Sequence, residues 1–417
     1  MSNNLDNNKL NLITRDGGFF NQFFIDAGEK FRKLHNEKFS VNVVEKEVHS
    51  LYLEMVKNNG MLGPEYDLMN VVTDWFPEII DNNLAVNLNE FIIENPIDGW
   101  PDAWPKSLMS LQEDNGNFYG IPFHDGPEVM IIRKDLFNNL ELQKSFEDLN
   151  GYQLSSPKTW DQFIDIAKFF NNPKNEMWGT IIAGLPDAHN NVYDFLIQLW
   201  SRGGNLLDKE NKYAVFNNDI GEEALEFNVD LIYKHKVVPK EALSMDSGGS
   251  GFFFADGKAA MMWNWIGFAS MAQTLETSKV KKNIECHLIP TSSEDIKNIS
   301  LNVYWTTSIA SGSKNKSLAY DFLKFCASDE MDLKTTTYGL SGVRKNTWKN
   351  PNLLKTNPEY SIMERSHDVS KTMPKITKCT EVIEILNLMV DDALNLKKSP
   401  KDSIEYYSEK INKLLDK

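Results

Sequence analysis

The sequence predicts an α/β protein built as two domains. Three observations point there. The chain has 417 residues, more than one ordinary hydrophobic core accommodates. Strand-like apolar runs alternate with amphipathic helical stripes along its length. Its composition is that of a globular protein, with 41% hydrophobic and 25% charged residues, 16 prolines and 23 glycines.

The elements follow in order. Residues 10–14 read as a short strand, and Phe20, Phe23, Phe24, Ala27, Phe31 and Leu34 then recur as one face of a helix. Strands at 41–44 and Leu68–Val72 complete a strand–helix–strand opening, the crossover unit of a parallel sheet. The middle repeats the logic: a strand at Glu128–Arg133, a helical stripe of Trp160, Phe163, Ile164, Ala167 and Phe170, and a strand at 179–183. Thr159 or Asp161, close to Pro157, supplies the start signal for that helix. Further strands are expected at 257–264 and 284–289. Val382, Ile385, Leu386, Met389 and Ala393 mark one C-terminal helix, and Ile404, Tyr407, Ile411 and Leu414 another. The glycine-rich run 247–251 reads as a flexible turn before a short helix at 251–255. No long linker intervenes, so the extended stretch at 123–127 is the expected boundary, a place where domains hinge rather than float.

Charge and motifs narrow the function. With 44 basic against 59 acidic residues the net charge is −15, a field that repels phosphate backbones and anionic bilayers. Nucleic acid is therefore not an expected partner. No apolar run reaches the 18 or so residues of a membrane span, so no direct membrane insertion is expected. The three cysteines, Cys286, Cys326 and Cys379, lie far apart and form no C-x-x-C, which argues against a disulfide framework and a zinc or redox site. Cys286 and His287 are strand neighbours that face opposite ways and cannot chelate one ion; no metal and no cofactor are expected. The run 247–251 fails as a nucleophile elbow, because its second glycine falls on Phe252, and Gly257-Lys258-Ala259 fails as a phosphate loop. Carboxylates are plentiful, yet none stands in a recognisable acid/base pair. Aromatic residues, at 11%, exceed what core filling asks.

Three stretches resemble the extracellular solute-binding proteins of sugar-type ABC importers, the maltose-binding-protein-like group. The first is Asn117-Phe118-Tyr119-Gly120-Ile121-Pro122-Phe123 with the later Arg133-Lys134-Asp135-Leu136-Phe137. The second is Pro157-Lys158-Thr159-Trp160-Asp161-Gln162-Phe163 with Leu199-Trp200-Ser201-Arg202-Gly203-Gly204-Asn205-Leu206-Leu207-Asp208. The third runs from Phe254-Ala255-Asp256-Gly257-Lys258 to Ala319-Tyr320-Asp321-Phe322-Leu323. Their order and spacing span roughly residues 10–350.

The resemblance implies a two-lobed type II periplasmic-binding fold with a hinge of crossing segments and a ligand cleft between the lobes. It divides the chain into an N-terminal lobe of 1–125 plus 289–342 and a C-terminal lobe of 126–288 plus 343–417. It implies a monomeric carrier that captures a small neutral sugar or polyol and delivers it to a membrane permease outside the cytoplasm. Catalysis is not expected of such a carrier. The N-terminus, Met-Ser-Asn-Asn-Leu-Asp-Asn-Asn, has neither a signal-peptide pattern nor a lipid-anchor cysteine, which leaves open a trimmed signal, a misassigned start or a cytoplasmic ligand sensor. A carbohydrate-active hydrolase or lyase is the alternative, since paired carboxylates need only be close in space.

Sugar capture calls for aromatic faces against C–H groups and planar polar groups against hydroxyls. Placed on the matching segments, these are Arg15 and Asp16 after the first strand, Thr73, Asp74 and Trp75 after the third, and His124 and Asp125 at the first crossing. Asn191 and Tyr193 precede the segment bearing Trp200; Asn264 and Trp265 end a strand; Tyr304 and Trp305 begin the return strand; Arg344 sits at the third crossing. Trp265 is preferred to Trp263 as the ligand-facing residue of this strand end. Asp74 and Trp75 read equally well as a helix cap and a packing residue, and Arg344 as a salt bridge within the hinge. Asn302, Val303 and Tyr304 replace the family's usual small residues, bulk expected to narrow the cleft against long oligosaccharides. Residues 138–154 read as an added excursion along one edge.

Overall fold

The computed structural model describes residues 8–17, 20–35 and 37–416. The chain forms two compact units. The first comprises Met1–Gly126, Val303–Leu354 and Lys375–Thr377; the second comprises Pro127–Asn302, Lys355–Pro374 and Lys378–Lys417.

The first unit is organised by a five-stranded sheet in the order Ser40–Lys46, Lys9–Arg15, Leu68–Val72, Trp305–Ile309, Ile121–His124. Lys9–Arg15 runs parallel to both neighbours, while Trp305–Ile309 runs antiparallel to Leu68–Val72 and Ile121–His124. The two strands in the middle, Leu68–Val72 and Trp305–Ile309, are buried at every position, as expected of strands covered on both faces. The helix Phe20–Leu34 lays Phe20, Phe23, Phe24, Ala27 and Phe31 into the core, and Leu34, the last member of its apolar stripe, is 64% exposed. Register fixes what meets at the sheet's end. Trp305 pairs with Val72 on one side and His124 on the other, so the carboxyl ends of the parallel strands, at Arg15, Val72 and His124, all converge on it.

The second unit has a four-stranded sheet in the order Ile284–His287, Glu128–Arg133, Ala259–Trp265, Trp178–Thr180. Glu128–Arg133 is antiparallel to Ile284–His287 and to Ala259–Trp265; Trp178–Thr180 runs parallel to Ala259–Trp265. The register places Glu128 opposite Trp265. The helix Trp160–Phe170 is capped by Thr159, whose hydroxyl accepts from the Gln162 N–H, and buries all five predicted stripe residues. The sheet comes close to this helix at Gly179, where a Cβ would stand 2.1 Å from the Ala167 carbonyl oxygen. Helices Asn190–Trp200 and Asp219–Tyr233 carry the C-terminal pair Cys379–Leu394 and Pro400–Leu415 against them. Residues 138–154 hold the helix Leu140–Asn150, capped by Asn139, whose Phe146 is buried against Tyr152 and Phe169.

Three sequence expectations differ from what is seen. The run 247–251 is no flexible turn: it opens the helix Ser247–Ala255, because Asp246 at the N-cap accepts from the Gly249 N–H and anchors the first turn. The strand expected at 179–183 ends at Thr180. The units divide at 126/127, 302/303, 354/355, 374/375 and 377/378; the boundaries expected from the sequence are 125/126, 288/289 and 342/343. Residues up to 302 stay with the second unit through the pairing of Ser300–Leu301 with Ser370–Lys371 and a 2.7 Å hydrogen bond from Ser300 Oγ to the Glu128 carbonyl.

Candidate ligand-binding site

Each unit carries a polar and aromatic cluster at one end of its sheet. In the first, the Arg15 guanidinium lies over the rings of Phe20 and Trp305, 5.5 and 5.6 Å from their centroids. Trp75 meets Trp305 edge to face at 6.0 Å, and Tyr52 lies 5.3 Å from Trp75. The His124 ring packs edge-on against Phe20 at 5.2 Å. Its Nδ1 accepts a 2.9 Å hydrogen bond from the Ser341 N–H, so in the neutral ring the proton sits on Nε2, which becomes a donor. Burial pushes this imidazole down to about 4, against the opposing pull of Asp125, and it is neutral at physiological pH.

The remaining first-unit residues separate into two groups. Asp16 is exposed at the end of its strand. Asp125 is buried, and its N–H faces the Ser341 carbonyl at 3.4 Å. Asp74 lies within the short helical turn Thr73–Trp75 and is not the N-cap of the following helix Phe76–Asp81, a position that Trp75 occupies. Three other residues serve the unit's interior. Thr73 pairs with Tyr304 through both its N–H and its hydroxyl. Tyr304 is 1% exposed and donates to the Leu108 carbonyl, so its bulk lies inside the unit. Arg344 donates to the carbonyls of Ala327 and Asp98 at 2.8 and 3.0 Å, pairs with Asp329 and lies 4.5 Å over Trp104.

In the second unit the helix Asn190–Trp200 begins beside the end of the strand Ala259–Trp265. Tyr193 and Trp265 meet edge to face at 5.7 Å. The Trp265 indole N–H donates to Asn190 Oδ1 at 2.8 Å, and His189 Nδ1 lies 3.0 Å from the Tyr193 hydroxyl. Trp265 is half-buried whereas Trp263 is buried in the core, its indole N–H committed to Asp194. Asn191 turns from the helix end toward Asn387 Oδ1, 2.7 Å away. Asn264 is a tie between strand and helix: its amide donates to the Ser247 carbonyl and Ser250 Oγ, both at 3.1 Å.

Below this cluster lie two buried carboxyl groups. Burial, reinforced by Asp194, raises Glu128 well above the ordinary carboxylate range. Burial raises Asp194 to about 8, although Trp263 and the Ala183 N–H work against it. Sequence reasoning missed Asn190, His189 and Asn387. The first two stood beside predicted residues, but Asn387 lies almost two hundred residues away on a helix with an ordinary amphipathic pattern, and nothing local singles it out. Among the described residues no His, Cys, Asp and Glu cluster is arranged to hold a metal, and no helix is long and apolar enough to cross a membrane.

The family model for bacterial extracellular solute-binding proteins matches residues 13–332. An arabinooligosaccharide-binding protein of Halalkalibacterium halodurans is 24% identical over 207 residues, 48% of this chain and 42% of that protein, so the match spans less than half of that relative. An arabinooligosaccharide-binding protein of Bacillus subtilis is 22% identical over 82% of this chain and 74% of its own length. Among solved structures, maltose-bound MalE3 of T. maritima superposes with a TM-score of 0.84 at 22% identity, covering 97% of this chain and 99% of that one. A solute-binding protein from Agrobacterium radiobacter in complex with ribitol gives 0.84 at 19% identity, over 97% and 98% of the two chains. The fold is that of these two-lobed sugar-binding proteins, and the chain belongs to the bacterial extracellular solute-binding protein family.

Proposed function

We propose that this chain is the solute-binding component of an ABC importer, capturing a neutral carbohydrate or polyol outside the cytoplasm and handing it unchanged to a membrane permease. The observation that carries this reading is the second unit's cluster. Trp265 is a half-buried indole whose N–H is already engaged by Asn190; Tyr193 meets it edge-on, and His189 in turn contacts the Tyr193 hydroxyl, so hydroxyl, imidazole and amide groups gather at this end of the sheet. An apolar ring face beside hydrogen-bonding groups is the complement of a sugar ring. In the first unit, Arg15, Trp75, His124 and Trp305 repeat that combination. The relatives named for arabino-oligosaccharides and the neighbour solved with ribitol support the same ligand class.

A thermal-shift screen over monosaccharides, arabino-, galacto- and malto-oligosaccharides and polyols tests it. A ligand present at one hundred times its dissociation constant should stabilise the fold by about 2.7 kcal/mol. A flat response across the whole panel overturns the reading.

A further inference from the structure

The turn that carries the second-unit cluster is held in an unfavourable conformation by a residue far away in sequence. Ala188 has φ +57°, the left-handed region in which a Cβ crowds the following carbonyl and which residues other than glycine seldom enter. Its N–H donates to Asn387 Oδ1 at 3.1 Å, and the Asn191 amide donates to the same oxygen at 2.7 Å. Asn387 projects from the helix Cys379–Leu394, which is packed against the helix Asn190–Trp200. Inside the turn, Asp187 Oδ1 accepts from the N–H groups of His189 and Asn190. The outputs are the 2.8 Å bond that aims Trp265 from Asn190 and the 3.0 Å contact of His189 with the Tyr193 hydroxyl.

We propose that Asn387 is a positioning residue, whose side-chain oxygen clamps residues 186–191 in the strained turn that orients Asn190, Tyr193 and Trp265 for sugar; this rests on the sugar-binding reading above. Strain at a functional site persists only where its surroundings over-determine it. The side-chain oxygen of Asn387 is the partner that does so for Ala188. With that oxygen removed, the Ala188 N–H loses its acceptor and the backbone relaxes toward negative φ. The relaxation rotates the peptide leading into His189 and Asn190 and releases the Trp265 indole.

The test compares N387A, N387D and the double variant N387A/A188G, in the full chain, by two measurements. Amide hydrogen exchange without ligand reads the turn itself, and titration with arabinotriose reads its consequence. N387A should speed exchange across residues 187–191, leave Glu128–Arg133 unchanged, and weaken arabinotriose about tenfold. N387D retains the acceptor oxygen but loses the 3.5 Å donation from Asn387 Nδ2 to the Pro186 carbonyl, so its exchange and affinity should lie nearer the wild type than those of N387A. A188G removes the penalty for positive φ, so the double variant should recover most of the affinity and the protection of His189 and Asn190, whose acceptor Asp187 Oδ1 remains, while the residue 188 N–H, still without Asn387 Oδ1, stays fast. Wild-type exchange and affinity in N387A overturn the proposal, as does a double variant no better than N387A. If the wild-type chain does not respond to arabinotriose, that counts against the functional reading, and the exchange comparison alone upholds or overturns the role of Asn387.

Discussion

Trp263 Nε1 donates a 2.6 Å hydrogen bond to Asp194 Oδ1, and both side chains are buried in the second unit. That bond favours the ionised carboxylate, yet burial outweighs it and lifts Asp194 to about 8. Glu128 is raised for the same reason, with Asp194 as the second cause. A carboxyl group raised by folding stabilises the fold fully below its unfolded pKa, near 4, and loses that contribution as the pH climbs through its folded value. His124 has the opposite sign: lowered to about 4, its contribution is present above about 6.5 and is lost as pH falls toward 4. Between about pH 6.5 and 8 His124 is therefore silent and the carboxyl groups dominate. Unfolding free energy should fall there by about 1 kcal/mol per pH unit. E128Q, measured by urea denaturation across this window, should show a shallower slope; parallel slopes would remove the pair as the cause.

Arg344 should prove a structural residue. It is 1% exposed and satisfies two carbonyls, Ala327 and Asp98, in the first unit while lying over Trp104. Asp332 fixes the same segment, accepting from the N–H groups of Val343 and Arg344 at 2.9 and 3.1 Å. Replacing Arg344 by methionine fills part of the volume and leaves both carbonyls without a donor, at a cost of about 3 kcal/mol. Sugar affinity, measured at a temperature where the variant remains folded, should change by less than about threefold, within 1 kcal/mol. A large affinity loss with unchanged stability would return Arg344 to the ligand.

Tyr304 admits a sharper version of the same division. Its hydroxyl bonds the Leu108 carbonyl and Gln112 inside the first unit, so Y304F deletes polar partners without opening a cavity. The expected outcome is a loss of about 1–2 kcal/mol in stability and an unchanged dissociation constant by isothermal titration. Weakened sugar binding at native stability would show that the hydroxyl reaches ligand.

What was legible in the sequence follows from the range of the signal. The helix Phe20–Leu34 and the strand Leu68–Val72 are written in local periodicity, and they appear where that periodicity puts them. Trp305 and His124 were readable as neighbours of Arg15 only through the family resemblance, because the pairing that joins them spans 181 residues of chain. Tyr304 and Arg344 occupy the right segments, but whether a side chain turns to the surface or the interior depends on partners such as Leu108 and Asp98 that no local pattern names. Asn387 is the extreme case: its function lies in one oxygen facing a turn formed two hundred residues earlier. The glycine run 247–251 misleads for the converse reason, since the Asp246 cap outweighs the poor helix propensity of three glycines.

The two tryptophans at the end of the strand Ala259–Trp265 give the most discriminating test of the binding reading. They are two residues apart and so face the same side of the sheet, but their environments differ. Trp263 is surrounded by Trp160 and Phe163 at 5.4 and 5.5 Å and bonded to Asp194; Trp265 is half-buried, edge-on to Tyr193 and bonded to Asn190. If Trp265 stacks on sugar, its contribution resides in the ring face, because the N–H is already occupied. W265F keeps a ring face and should bind more tightly than W265A, which should lose about tenfold or more in affinity, roughly 1.4 kcal/mol. W263F should instead leave affinity near wild type and lower stability by about 1–2 kcal/mol, since it strands the buried Asp194 oxygen and opens space in the core. Titration calorimetry with the best ligand from the thermal-shift screen, paired with denaturation of each variant, separates the two effects. Equal affinity losses in W263F and W265A would mean that the sugar is not read by the exposed indole face.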